Sequence, residues 1–315
     1  MKRLLASLSL CLLATPAIGD DWPQFRGAGG LSVSDETGLP TKWSATQNLR
    51  WKVALPGRGL TNPVIANGRV YVTASSGYLE SRLHVLCYEA ESGKKLWERQ
   101  FWSTGITLCH PKTCMAAPTP ATDGERIYAL FATCDLFALD AKGDLLWYRS
   151  LSRDYPTVGN NVGMASSPIL SKDLLLIQME NAGESFVVGI DKRTGKNRWK
   201  IERKREINWA TPILLRTGDR EDLLLQSGPG VAAHDAATGK QRWIYKGGAS
   251  NLASPVAGNG LIFAATGGVT AIQPSANGAE PKVVWSSNRL QSGYSSPVSY
   301  RDRVYAVNSA GVLNC

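Results

Sequence analysis

The chain has 315 residues, of which 43% are hydrophobic and 19% charged, and this composition excludes a disordered or fibrous protein. Its 31 glycines and 10 tryptophans favour many short strands joined by tight turns. The formal charge is +9. If the chain is exported, as its first residues predict, this charge indicates surface solubility or affinity for anionic envelope polymers, and we expect no nucleic-acid partner.

The first residues, MKRLLASLSLCLLATPAIGDDW, have the pattern of a secretory signal. A basic pair at 2–3 precedes an apolar run over 4–13 that is too short to span a bilayer as a helix, and small residues follow at 17–19. We predict a cleaved signal peptide over 1–19, with a buried first helix as the alternative. The protein is then exported, periplasmic or extracellular, its mature chain has no transmembrane segment, and residues 20–47 form an N-terminal extension.

Two markers recur along the rest of the chain. Tryptophans follow one another at intervals of 42 to 52 residues: Trp51, Trp97, Trp147, Trp199, Trp243 and Trp285. A small residue, a proline and an apolar run recur at a similar interval, first in TNPVIANGRVYV at 61–72 and last in SSPVSYRDRVYAV at 295–307. Intervals of this size are typical of propeller blades.

Each repeat predicts four short strands. The first strand follows the proline, and a turn such as Asn67-Gly68 or Asn259-Gly260 reverses the chain into the second. After the third strand, a phrase such as DKRTGKNRW at 191–199 supplies another hairpin, in which glycine takes a positive φ. Four glycines stand four residues before a repeated tryptophan: Gly93, Gly143, Gly195 and Gly239. The fifth unit departs from this spacing, since Gly278 stands seven residues before Trp285.

A small sheet with two apolar faces cannot bury both alone, whereas a ring of such sheets buries each face against a neighbour. We therefore predict an all-β fold, a β-propeller of four-stranded antiparallel blades over 48–315, with the tryptophans and glycines above as structural residues at the seams. We expect a monomer. The units lie near 60–101, 116–151, 164–203, 208–247, 251–289 and, incomplete, 293–315.

The two ends of this repeat region are incomplete. Residues 48–55, NLRWKVAL, have the pattern of a fourth strand without the preceding three, and 293–315 have that of three strands without a fourth. Either these ends pair and close a ring of about six blades, or the chain is cut short. Truncation is favoured, because Cys315 falls inside a predicted third strand.

These markers resemble the quinoprotein-like, or PQQ-like, β-propeller repeat, with the consensus SPVV-x-dG-x-VYV … LYALDA-x-TGK-x-x-W, which residues 60–315 follow almost throughout. DDWPQFRG at 20–27 and LPTKWS at 39–44 are similar to a secreted branch of that family. The resemblance implies a ring of about eight blades, so that about two would be missing. Its members include pyrroloquinoline-quinone (PQQ) dehydrogenases and a periplasmic outer-membrane assembly scaffold.

One rim of the predicted ring is the candidate binding site. Loops that enter first strands and loops between second and third strands open on the same rim, where they form a polar and aromatic funnel. The alternative is that these residues only cap strand ends and plug the channel. The candidates are Asn62, Met115, Met164, Glu180, Asn181, Asn208, Trp209, Asn251 and Tyr294.

A cofactor is not expected at this rim. Glu180, Asn181 and Trp209 are residue types that PQQ with calcium would need. However, the chain has no adjacent cysteine pair, no clear rim aspartate to act as a base and no CxxCH motif. We predict a non-catalytic scaffold that binds a protein or an envelope polymer. A PQQ- and calcium-dependent quinoprotein oxidoreductase is the alternative.

Five cysteines remain after the predicted cleavage: Cys87, Cys109, Cys114, Cys134 and Cys315. CHPKTC at 109–114 lacks the further ligands that zinc requires, and we expect no metal site. Cys114 and Cys134 are the candidate disulfide because their predicted loops share a rim; Cys109 with Cys114 is the competing pair, and Cys87 is expected to be a buried free thiol. The densest basic run, KNRWKIERKRE at 196–206, is interpreted as a solvated outer face.

Overall fold

A computed structural model describes residues 20–159, 162–275 and 278–315; the predicted signal peptide lies outside the described residues. The described chain forms six antiparallel sheets, five with four strands and one with three. Within each sheet the strands are neighbours in chain order. The predicted β-propeller of antiparallel blades is confirmed, and the sheet at 293–315 has the three strands expected there.

Short strands make up almost all of the regular structure. The blades comprise β1–β4 (Val64–Ala66, Arg69–Ser76, Arg82–Glu89, Lys95–Trp102), β5–β8 (Ala121–Thr122, Arg126–Leu130, Asp135–Asp140, Leu145–Ser150), β9–β12 (Ile169–Ser171, Leu174–Met179, Phe186–Asp191, Asn197–Glu202), β13–β16 (Ile213–Thr217, Arg220–Ser227, Gly230–Asp235, Gln241–Tyr245), β17–β20 (Val256–Gly258, Leu261–Ala265, Val269–Gln273, Lys282–Ser287) and β21–β23 (Val298–Tyr300, Arg303–Val307, Leu313–Asn314). One short helix, α1 (Leu151–Asp154), follows β8. No helix of the described part is long and apolar enough to cross a bilayer.

The Asn-Gly turns form as their sequence predicts. Asn67 and Gly68 have φ of 51° and 70° between β1 and β2, and Asn259 and Gly260 have φ of 52° and 73° between β17 and β18. Two successive left-handed residues match the twist of the flanking strands. Strand β11 is wholly buried while the outer strand β12 is partly exposed, so the core lies between the inner strands of neighbouring blades.

Four of the six repeated indoles pack on the glycine turn of the blade that follows them in the chain. The Trp97 Nε1–H donates to the Ala141 carbonyl at 3.0 Å, and a Cβ added to Gly143 would lie 2.8 Å from the Trp97 ring. The same contact joins Trp51 to Gly93, Trp147 to Gly195 and Trp199 to Gly239. Glycine is therefore required at this position for two reasons: the backbone has a positive φ, and the indole lies too close for a side chain.

In the described part of the fifth turn this contact is not made, as its altered spacing would suggest. Trp243 is buried, but its Nε1–H has no hydrogen-bond partner in the described part of the chain. The nearest atom to a Cβ added at Gly278 would be the Arg242 carbonyl oxygen at 3.5 Å, not an indole.

Residues 48–55 form no strand, which corrects the prediction made from NLRWKVAL. The sheet β21–β23 has three strands in the described chain, and none of them pairs with this segment. Trp51 nevertheless takes the indole position at the first seam, where its Nε1–H donates to the Ala90 carbonyl at 2.8 Å. Side-chain packing, rather than a backbone ladder, holds the segment.

The start of the N-terminal extension crosses the inner strands of successive blades. Trp22 and Ile65 exchange two backbone hydrogen bonds of 2.9 Å, and the Thr122 N–H donates to the Pro23 carbonyl at 2.8 Å. The Leu170 N–H donates to Gln24 Oε1 at 2.9 Å. Further along, the buried Arg26 donates to the carbonyls of Pro255 and Pro297, which precede β17 and β21. We call residues 20–32 the axial segment, because they contact the inner strands of the blades.

The residue before each repeated proline links neighbouring blades at the point where their first strands begin. The Thr119 N–H donates to Ser167 Oγ at 3.0 Å, the Ser167 N–H to Thr211 Oγ1 at 3.0 Å, and the Thr211 N–H to Ser254 Oγ at 2.9 Å. Asn62 begins this series and Ser296 ends it. A small hydroxyl residue recurs here because it accepts a bond from the preceding blade.

Candidate binding rim

The loops that enter first strands and the loops between second and third strands lie at the same end of every sheet, because consecutive strands are antiparallel. We call this end the loop rim. The opposite end carries the tight turns, and we call it the turn rim. Seven of the nine candidate residues lie on loops that enter first strands, and Glu180 and Asn181 lie between β10 and β11.

Glu180 is buried and hydrogen-bonded through its carboxylate to two side chains of the rim. The residue is 1% exposed, and its carboxylate accepts hydrogen bonds from Arg203 Nε and from Asn208 Nδ2, both at 2.6 Å. Burying a carboxylate is costly unless a cation and further donors satisfy it. Both oxygens of Glu180 are satisfied inside the protein.

Asn208 extends this cluster into the next blade. Its amide also donates to the Gln226 carbonyl at 2.7 Å, and its Oδ1 accepts the Ala210 N–H at 2.9 Å. Gln226 lies on β14, whereas Glu180 follows β10. The cluster therefore fixes a loop of one blade to a strand of its neighbour.

Trp209 and Asn251 join three successive loops of the rim. The Trp209 Nε1–H donates to the Gly163 carbonyl at 3.0 Å, and its backbone N–H donates to the Asn251 carbonyl at 2.8 Å. The Asn251 side-chain amide donates to the Ile207 carbonyl at 2.8 Å. Both side chains are half-buried, so each leaves part of its surface to solvent.

The other candidates do not join this cluster. Asn181 caps its own loop by accepting from the Gly183 N–H and donating to the Glu184 carbonyl, both at 2.7 Å. Met115 and Met164 are buried, and Asn62 and Tyr294 are exposed. The rim therefore has an internal polar cluster and separate exposed side chains.

Arg203 is a site residue that the sequence interpretation missed. It belongs to the basic run that we interpreted as a solvated face, but it follows the end of β12 and its side chain is 15% exposed. It also donates to Ser227 Oγ at 3.0 Å. The position of Arg203 after the last residue of β12 could have indicated its role, because side chains alternate between the two faces of a sheet only within a strand.

These residues do not fit PQQ with calcium. A calcium ion would need carboxylate oxygens that are free to coordinate it, whereas both Glu180 oxygens are held by internal donors, one of them a guanidinium. The described residues contain no group of three histidine, cysteine or acidic side chains arranged to hold a metal. The cleft beside Glu180 and Arg203 has a volume of about 170 Å³, below the roughly 300 Å³ at which small-molecule pockets begin.

The predicted disulfide is not formed. Cys114 and Cys134 are both buried free thiols, and the competing partner Cys109 is also free. Their loops do meet, since the Ala132 N–H donates to the Met115 carbonyl at 2.8 Å. Cys134 has a φ of 67°, its Sγ lies 3.9 Å from the Ala132 carbonyl, and burial raises the pKa of its thiol to about 12. Cys87 is buried and free, and burial raises its pKa to about 11.

Two recesses larger than the cleft at the loop rim lie on the turn rim of the described chain. One, of about 500 Å³, is lined by turn residues that include Asp123, Arg126 and Lys192, and the other, of about 550 Å³, by Lys172, Glu221 and Arg242. Within the first, Lys192 Nζ lies 3.2 Å from Asp123 Oδ2. Acidic and basic groups alternate in both, so neither has the uniform charge that would select one class of ion.

Six antiparallel blades, with indoles packed on the glycines of following turns, define a β-propeller protein of PQQ-like repeats. A family model described as outer membrane protein assembly factor BamB matches residues 22–182 and 183–315, and the chain belongs to that family. No curated protein matches the chain.

Two solved structures are similar in fold. BamB from Moraxella catarrhalis is 20% identical, with a TM-score of 0.55, over 84% of this chain and 71% of that chain. A europium-containing methanol dehydrogenase is 13% identical, with a TM-score of 0.56, over 84% of this chain and 61% of that chain. The chain thus spans less than two thirds of the dehydrogenase. At these identities the likeness concerns the fold alone.

Proposed function

We propose that this protein is an exported, non-catalytic scaffold that binds a protein partner or an envelope polymer through the loop rim. The observation that carries the proposal is the engagement of Glu180 with Arg203 and Asn208, which makes the rim carboxylate a structural group. Membership of a family described as an outer membrane protein assembly factor supports a protein partner and a location in the cell envelope.

The exposed part of the rim suits a macromolecule. Tyr294 is 77% exposed, Asn62 is exposed, and Trp209 and Asn251 are half-buried. Aromatic and amide side chains on a firmly hydrogen-bonded base are typical of protein-binding surfaces, in which a few aromatic residues contribute most of the affinity. The oxidoreductase alternative has no comparable support, because likeness to a dehydrogenase at 13% identity concerns the fold.

A photo-crosslinking comparison between the two rims tests this proposal. We expect benzoylphenylalanine at Tyr294, incubated with an envelope extract and irradiated, to give discrete adducts. Benzoylphenylalanine at Arg193, an exposed residue of the β11–β12 turn on the turn rim, is the matched control and should give none of them. Identical adducts from both positions, or none from Tyr294, would contradict binding through the loop rim.

A further inference from the structure

Two neighbouring loops of the loop rim expose a cluster of large apolar side chains. Tyr78 is 85% exposed, Leu79 53%, Trp102 67%, Ile106 53% and Leu108 49%. We call these five residues the apolar loop patch. They come from the loop between β2 and β3, the end of β4 and the loop that leads to β5. A cluster of exposed apolar side chains indicates an interaction surface.

Hydrogen bonds join the loops that carry the patch. The Ser103 N–H donates to the Ser81 carbonyl at 2.9 Å, and the Met115 N–H donates to Glu80 Oε2 at 2.8 Å. Gly105 packs closely against the Thr133 carbonyl, because a Cβ added to it would lie 1.9 Å from that oxygen. The patch is therefore presented on a fixed base.

Leu79 occupies an unfavourable backbone conformation. Its φ is 52°, in the left-handed region where asparagine and glycine are favoured over leucine. Because half of its side chain is in solvent, burial within this chain offsets little of that strain. Backbone strain that is not offset by burial of the side chain within the protein suggests that Leu79 contacts a ligand.

The charge around the patch is positive. In segments 77–82 and 102–112 the one acidic residue is Glu80, whose Oε1 accepts a hydrogen bond from Arg58 at 2.8 Å. Arg82 and Lys112 are exposed, and the Arg82 guanidinium lies 5.1 Å from the centre of the Trp102 ring. Indole and phenol rings beside aliphatic and basic side chains are the combination that proteins place at an anionic bilayer interface.

We propose that the apolar loop patch binds the surface of an anionic phospholipid bilayer. Tyr78, Leu79 and Trp102 enter the interface between headgroups and acyl chains. Arg82 and Lys112 contact lipid phosphates. This inference goes beyond the proposed scaffold function and is tested separately from it. Asn62 enters the same blade as the patch, but Tyr294, the position used to test partner binding, belongs to the sixth blade.

Cosedimentation of the purified protein with vesicles tests the inference. We expect binding to phosphatidylcholine vesicles that contain phosphatidylglycerol, and little binding to phosphatidylcholine alone. Leu79→Asn should weaken binding about tenfold, because an apolar side chain is withdrawn from the interface. Its Tm should be unchanged or higher, since asparagine accepts the local φ. Arg82→Gln and Lys112→Gln should each weaken binding about fivefold at low salt.

Leu145→Asn is the matched control, because Leu145 is 50% exposed at the start of β8, at the turn-rim end of its blade. It should bind vesicles like the wild type. Brominated lipids should quench tryptophan fluorescence in the wild type and much less in Trp102→Phe. The inference is overturned if phosphatidylglycerol vesicles do not bind, if Leu79→Asn binds unchanged, or if Leu145→Asn loses as much as Leu79→Asn. Capture of a protein by the patch without vesicle binding would also overturn it.

Discussion

Arg26→Met is expected to lower the free energy of unfolding by about 3 kcal/mol, because two buried carbonyls would lose a charged donor at about 1–3 kcal/mol each. The guanidinium is enclosed among the inner strands, where it bonds to the carbonyl of Pro255 at 3.2 Å, to that of Pro297 and to Ser32 Oγ. Burial lowers the pKa of Arg26 to about 10, which leaves it charged at neutral pH.

Urea unfolding followed by far-UV circular dichroism measures this effect. Arg153→Met, at an exposed residue of α1, is the control and should change the midpoint little. If Arg26→Met and Arg153→Met had the same midpoint and slope, the axial segment would not hold the blades together. A lower midpoint for Arg26→Met alone supports its role as an internal tie between the fifth and sixth blades.

Gly239→Ala is expected to destabilise the protein by about 3 kcal/mol, of which about 1 kcal/mol comes from the left-handed backbone and about 2 kcal/mol from overpacking. Gly239 has a φ of 74°, and an added Cβ would lie 2.7 Å from the Trp199 ring. That ring cannot easily retreat, because it also covers Gly189, where an added Cβ would lie 2.4 Å from it.

Gly260→Ala separates the two contributions. Gly260 has a similar φ of 73°, but nothing lies within 4 Å of an added Cβ, so the substitution should lose only about 1 kcal/mol. The measurement is the difference in unfolding free energy between the two alanine variants. Equal losses would mean that the indole contact contributes nothing and that the glycine repeat serves the turns alone.

The blades were predictable because their signals are local and repeated. Asn67-Gly68 and Asn259-Gly260 specify their hairpins within a few residues, and the proline marker fixes where each first strand begins. The failure at 48–55 has the opposite origin. Alternation marks residues able to form a strand, but a strand also needs a partner edge, which no local pattern supplies.

The rim cluster was only partly predictable for a similar reason. The sequence placed Glu180 and Asn208 on one rim because both lie on loops of known order. It did not find Arg203, whose side chain turns toward Glu180 beyond the end of β12, or the backbone carbonyl of Gln226, which accepts a hydrogen bond from Asn208. The contacts of Gln24 and Arg26 with the inner strands were missed as well. They join residues more than 140 positions apart, and such contacts produce no periodic pattern in the sequence.

A thermal-shift experiment with PQQ and calcium tests whether the Glu180 carboxylate is a structural group or a cofactor ligand. A ligand present at about a hundred times its Kd would stabilise the protein by about 2.7 kcal/mol. For a structural carboxylate we expect an unchanged Tm for the wild type, no alcohol- or sugar-dependent dye reduction, and a lower Tm for Glu180→Ala with or without the additions. A rise in the wild-type Tm with PQQ and calcium, accompanied by dye reduction that Glu180→Ala abolishes, would contradict it.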